Sequence, residues 1–277
     1  MATLRSFGAG AAVARAALAW IRRDQHAGVL ERTNFHGRTV TLAGGPALAA
    51  GATAAAALGA GSGRLAAAAV TAGAVSGAVG FYDDIVGNRP EQKAAKGFAG
   101  HLGALREGRV TSGLVKIAGV GAAGLVAGVL VGSNRPSRLG RTTDVLLGAG
   151  VVAGLANLVN LLDLRPGRAI KAGVILGAPL AVGRRGGIAA GTLGASAALL
   201  PDDLGEEIML GDAGANALGA LLGVALIARC GPGGRLAALT VLGALTAASE
   251  KVSFTKVIQD TPWLRAVDEL GRRPPQA

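Results

Sequence analysis

The chain has 277 residues, 51% of them hydrophobic and only 16% charged, with a mean hydropathy of +0.46 and a net charge of +11. A soluble domain carries about 25% charge, so the composition points to the membrane. Only 3% of residues are aromatic and the basic residues sit in short stretches between apolar blocks, which argues against a nucleic-acid partner. The single cysteine, Cys230, excludes an intrachain disulfide and any cysteine-built metal site.

The apolar residues come in blocks and not with a helical or strand period. This predicts an all-α, polytopic integral membrane protein with about nine transmembrane helices. In chain order the spans are 7–21, 42–61, 65–82, 114–132, 145–162, 169–182, 187–200, 213–227 and 236–248. Several fall short of the roughly 20 residues that cross the hydrocarbon, which tilt or local thinning can accommodate. The 46 glycines lie largely inside these blocks, where small residues let helices approach. Arg15 interrupts the first block, and Ile21-Arg22-Arg23-Asp24 reads as a membrane flank, so no cleaved leader is expected. Residues 1–249 form one membrane domain; 250–277 form a polar cytoplasmic tail, partly disordered, with an amphipathic piece at 262–270 that lies on the surface.

Charge sets the orientation. With Asp83 and Asp84 inside, the inner segments carry 18 of the 28 Lys and Arg, in keeping with the positive-inside rule. Arg135, Arg138, Arg141, Arg184 and Arg185 pull the other way. Sixteen of the seventeen acidic residues fall inside, with Asp144 the exception. Acidic residues do little to set topology, so a cytoplasmic active site is one reason for this asymmetry.

Three stretches carry candidate chemistry. Phe81-Tyr82-Asp83-Asp84 ends a span with two adjacent carboxylates, disfavoured at a helix C-terminus unless a cation sits near them; an interfacial acidic pair is the plainer alternative. Asn157-Leu-Val-Asn160-Leu-Leu-Asp163 places two amides and a carboxylate at i, i+3 spacing on one helix surface, suited to a nucleoside or to a neighbouring helix. Gly211-Asp212-Ala-Gly214 opens another span, with Asp212 a helix N-cap, a metal ligand or both. Lys116 lies inside an apolar run and must snorkel or pair with a phosphate or an aspartate. Arg89, Lys93, Lys96, Arg106 and Arg109 are topology-setting charges. His26, His36 and His101 are too scattered for a metal site. Oxygen ligands at the inner ends of separate spans favour Mg2+ or Mn2+, and a hard cation at headgroup depth points to phosphoryl chemistry on a lipid phosphate.

These pieces, with Thr39-Val-Thr-Leu-Ala-Gly44-Gly45 and Gly113-Leu-Val-Lys116, follow one another in an order that resembles the polyprenyl-phosphate N-acetylhexosamine-1-phosphate transferases, the family of phospho-N-acetylmuramoyl-pentapeptide translocase, over roughly residues 30 to 225. The resemblance implies transfer of a sugar-1-phosphate from a UDP-sugar to a polyprenyl phosphate, with release of UMP. This would take place at the cytoplasmic face of a multi-pass cell-membrane protein, in cell-envelope glycan or peptidoglycan precursor synthesis. It implies Asp83, Asp84 and Lys116 as catalytic residues, Asn157, Asn160 and Asp163 at the nucleotide and diphosphate, and Asp212 with Asp84 at Mg2+ (or Mn2+). A homodimer is compatible with it.

Two departures touch the donor side. Pro166 stands where that family places a second aspartate, and 250–263 lacks the family's histidines. Arg165 and Arg168 are available to a diphosphate instead. The alternatives are a catalytically degenerate relative that binds polyprenyl phosphate or an envelope-assembly partner, and a small transporter, against which no inverted repeat is found.

Overall fold

The structure is a computed structural model, described for residues 1–87, 89 and 97–273 without the side chains of 97–99 and 102; Lys93 and Lys96 lie outside the described residues. It is mostly helical, 76% helix against 3% strand. Twelve helices are described: α1 (Ala2–Arg23), α2 (Gly44–Gly59), α3 (Gly63–Val86), α4 (Gly97–Arg106), α5 (Ser112–Val131), α6 (Arg138–Leu162), α7 (Arg168–Gly177), α8 (Gly187–Leu204), α9 (Gly211–Ile227), α10 (Pro232–Ser249), α11 (Phe254–Asp260) and α12 (Pro262–Glu269).

Local chemistry explains many of the boundaries. The hydroxyls of Ser62, Thr111 and Ser137 accept backbone N–H groups at the starts of α3, α5 and α6, satisfying donors that a helix start leaves over. Gly132 ends α5 at φ +81°, a conformation that costs glycine little. Pro232 opens α10, where its missing N–H is not needed.

The long helices run up and down between two ends. Lys116, at the start of α5, meets Asp83, at the end of α3, while Arg64 at the start of α3 donates to the Val129 carbonyl at the end of α5. Helix α9 lies at the centre, with 14 of its 17 residues buried, against α2, α3 and α6. Glycine permits the closest approaches: a Cβ on Gly80 would run into the Asp212 carbonyl, and one on Gly219 into that of Leu155.

The helical class agrees with the sequence reading; the number of spans does not carry over directly. Each of the nine apolar blocks is helical, yet only α3, α5 and α6 are long and apolar enough to cross a membrane. Helices α10 and α11, bent by 93°, add a fourth if taken as one span. The 169–182 block shows why: α7 has ten residues and gives way to a 3-10 turn at Pro179–Ala181, about 15 Å of helix at 1.5 Å per residue.

Two further elements depart from the sequence reading. Residues 22–41, read as a connecting segment, contain a hairpin of β1 (Glu31–Thr33) and β2 (Thr39–Thr41). It clips to the chain ahead of α9: the Met209 N–H donates to the Thr41 carbonyl at 2.9 Å. The tail, expected to be partly disordered, forms α11 and α12 over its described part. Asp268 of α12 is buried and accepts from Arg168 Nε at 2.7 Å and Nη2 at 2.9 Å, and from Arg272. Lys171 donates to the carbonyls of Val267, Asp268 and Leu270, a cation on the open end of a helix.

Burial pushes the pKa of Asp268 up, but the hydrogen bonds from Arg168 and Arg272 outweigh it and hold the carboxyl below its usual range. Docking of α12 therefore contributes stability at neutral pH. That stability is lost as pH falls through the lowered value, once the carboxylate takes up a proton. Protection factors over 262–270, which correct for the slower intrinsic exchange in acid, should fall at acid pH while α9 stays protected, and Asp268→Asn should give the low protection already at neutral pH.

Candidate functional site

The site forms where the ends of α3 and α6 meet the starts of α5 and α9. The Lys116 ammonium bridges Asp83 Oδ2 at 2.6 Å and Asp212 Oδ2 at 2.5 Å. All three side chains are mostly shielded from solvent, 19%, 13% and 23% exposed respectively. Lys116 thus takes two aspartates as partners, the second of the options its sequence position leaves open. It uses two of its three N–H donors on them. One ammonium between two carboxylates leaves a formal negative charge.

Asp84 does something different from its neighbour. Its two carboxylate oxygens accept the backbone N–H groups of Asp212 and Ala213, both at 2.9 Å. Asp163, just past the end of α6, accepts the N–H of Gly211. The first N–H groups of α9 are therefore held by carboxylates from two other helices, where the positive end of the helix dipole favours them. Asp212 is not the N-cap that its sequence position suggests: that place is Leu210, which offers no side-chain cap. Asp212 lies inside the first turn and turns its carboxylate to Lys116.

Beside this network lies a cavity of about 380 Å³ lined by Lys116, Asp212, Asn157, Asn160 and Asn216, among others. Asn157 Nδ2 donates to Thr246 Oγ1 at 3.1 Å. Asn216 is buried and donates to the Asp212 carbonyl at 2.7 Å. Asn216, Thr246, Ser249 and Glu250 are wall residues that the sequence reading does not assign. Asn216 was detectable as a polar residue four positions after Asp212, one helical turn along the same face; the α10 residues carry no such signal. His101 also lines the cavity, its Nδ1 2.8 Å from Thr111 Oγ1.

The predicted residues thus fall into three groups. Asp83, Lys116 and Asp212 form one ion network. Asp84 and Asp163 secure the start of α9. Asn157 and Asn160 line the cavity. Arg168 is committed to Asp268, and the Arg165 guanidinium stacks over Phe35, 3.9 Å from the ring centroid. Around Pro166, the Gly167 N–H donates to Asp203 at 3.0 Å and the Pro166 carbonyl accepts from Arg272 at 2.8 Å.

A second polar cluster ties the hairpin to α9's approach. Glu206, buried and at φ +54°, accepts from Asn34 at 2.5 Å and Arg38 at 3.0 Å and lies 3.0 Å from His36 Nδ1. Burial pushes its pKa up, and the bonds from Asn34 and His36 with the charge of Arg38 outweigh this, holding it low.

Among the described residues no group of three or more His, Cys, Asp and Glu is arranged around a shared metal position. The donors at hand nevertheless fit a hard divalent cation completed by substrate oxygens. Asp212 supplies carboxylate oxygens at the cavity wall with Asp83 beside it across Lys116, and Mg2+ commonly takes one or two carboxylates together with phosphates and water. No family model matches the chain, and no curated protein matches it.

Proposed function

We propose that the chain is a membrane phosphoglycosyl transferase that moves a sugar-1-phosphate from a UDP-sugar to a polyprenyl phosphate. In this reading α3, α5 and α6 cross the cell membrane and the Asp83–Lys116–Asp212 end faces the cytoplasm. The observation that carries it is this ion network at the end of apolar helices, beside a cavity walled by asparagines. With a divalent cation bound to offset its net negative charge, the network would hold phosphate at the depth of lipid headgroups.

In the proposed reaction an oxygen of the lipid phosphate attacks the sugar-proximal phosphorus of the donor. A new P–O bond forms, the bond to UMP breaks, and UMP leaves with the electron pair. Lys116 meets the phosphate oxygens with its remaining N–H, and Asp83 keeps that ammonium in place. Asn157 and Asn160 offer donors and acceptors to the nucleoside or the diphosphate. Asp212 is the residue that would hold Mg2+, which when bound would offset the charge of the diphosphate. Asp84 acts through the backbone, by setting where the start of α9 lies.

Exchange of labelled UMP with a UDP-sugar, in polyprenyl-phosphate micelles containing Mg2+, tests the reading. Asp212→Asn should slow exchange by on the order of a hundredfold or more, the scale of losing a group that stabilises transition-state charge. Undiminished exchange in Asp212→Asn and Asp83→Asn would rule the site out.

A second reading has its own observation. The segment at Pro166 is covered by Arg272 and Asp203 where the resembled family carries a donor-side aspartate. A chain that binds polyprenyl phosphate without turning over any UDP-sugar accounts for that closure. Retention of polyprenyl phosphate with no exchange across a panel of UDP-sugars is the result this second reading expects.

A further inference from the structure

At the opposite end of the bundle lies a larger cavity of about 1290 Å³. Six arginines line it: Arg64, Arg135, Arg184, Arg185, Arg229 and Arg235. Among the described residues Asp144 is the only carboxylate in its wall. It accepts from Ser133 Oγ at 2.5 Å, and its other oxygen lies 3.5 Å from Arg135 Nε.

Four of the other five are held by neutral partners. Arg64 donates to the Val129 carbonyl, Arg185 to that of Ala228, and Arg229 to those of Leu180 and Val182. Arg235, only 6% exposed, donates to the carbonyls of Cys230, Asp144 and Ile227. Carbonyls orient a guanidinium without neutralising it, and each guanidinium has five donors. The result is a cluster of positioned, uncompensated charge.

In the orientation proposed above, topology gives no reason for that charge, because the orientation rule favours Lys and Arg at the cytoplasmic end and these arginines sit at the other one. The starts of α3 and α10 add their positive dipole ends, since Ser62 and Pro232 are also in the wall. Deeper in, Leu65, Leu130, Val131, Ile188 and Ile227 give an apolar lining. Arginine forks match phosphate oxygens bidentately, and the apolar lining suits an acyl or prenyl chain attached to that phosphate.

We propose that this cavity is a binding site for a phosphate-bearing anion, supplied by a lipid headgroup or as a free diphosphate, on the face opposite the acidic site. The full chain, purified in neutral detergent, would be given two probes: phosphatidic acid followed by native mass spectrometry, and inorganic pyrophosphate followed by titration calorimetry. The first arm reads a lipid source and the second a free anion. The double variant Arg64→Gln with Arg184→Gln removes two exposed arginines of the wall. Arg5→Gln with Arg138→Gln removes the same charge from the same end outside the cavity.

At least one probe should bind, and the cavity variant should weaken it by on the order of tenfold or more, the worth of one charged hydrogen bond. The control variant should bind as the unaltered chain does. Equal weakening in the cavity and control variants, unchanged binding in the cavity variant, or binding of neither probe would each overturn the proposal.

Discussion

Lys116→Met should destabilise the protein by about 3–5 kcal/mol, the range found when one partner of a buried ion pair is removed, and should abolish exchange activity. The cause is what stays behind. Asp83 and Asp212 both rest on the same ammonium, at 2.6 and 2.5 Å, and without it two carboxylates face each other in a shielded place. Thermal or denaturant unfolding in a fixed detergent reads the loss. The triple variant with Asp83→Asn and Asp212→Asn should recover much of the stability, because no bare charge remains. It should recover no activity. If the triple variant were as unstable as Lys116→Met, packing of the lysine stem, and not charge, would be the origin of the effect.

Gly211→Ala is the second large effect, expected to cost roughly 2–4 kcal/mol. Gly211 stands at φ +57°, where a side chain costs about 1–2 kcal/mol. A Cβ there would also lie 2.7 Å from Asp84 Oδ1 and 2.7 Å from Leu42 Cδ2. To make room, Asp84 must leave the N–H groups of Asp212 and Ala213, and losing a cap of this kind costs about 0.5–2 kcal/mol more. Because the displaced carboxylate positions Asp212, exchange activity should fall together with the unfolding midpoint. A variant with wild-type stability would show that the α9 start does not depend on this contact.

The positions of the acidic site were readable because a carboxylate or amide at the end of an apolar run contradicts its surroundings chemically. Asp83, Asp163 and Asp212 stand out for that reason alone. What each one holds was not readable. Asp83 and Asp84 are adjacent, yet about 100° of helix rotation separates them, so one meets Lys116 and the other the backbone of α9. The hairpin escaped because its strands have three residues each and no alternating apolar face. The seating of α12 depends on Arg168 meeting Asp268, 100 positions away, a pairing that no local pattern announces. The short α7 followed from Pro179, whose break is visible only once the apolar block is not assumed to be continuous.

The start of α9 has a consequence for how the chain assembles. Its leading N–H groups, from Gly211 to Ala213, find their acceptors on α3 and just past α6 and not on nearby residues. A buried N–H left unmatched costs about 1–3 kcal/mol, so α9 alone cannot finish its own first turn. Both donors of those carboxylates precede it in the chain and emerge first during synthesis. The central helix is therefore the late-arriving member, received by a socket that the earlier helices have already prepared, and any change that delays α3 or α6 strands it.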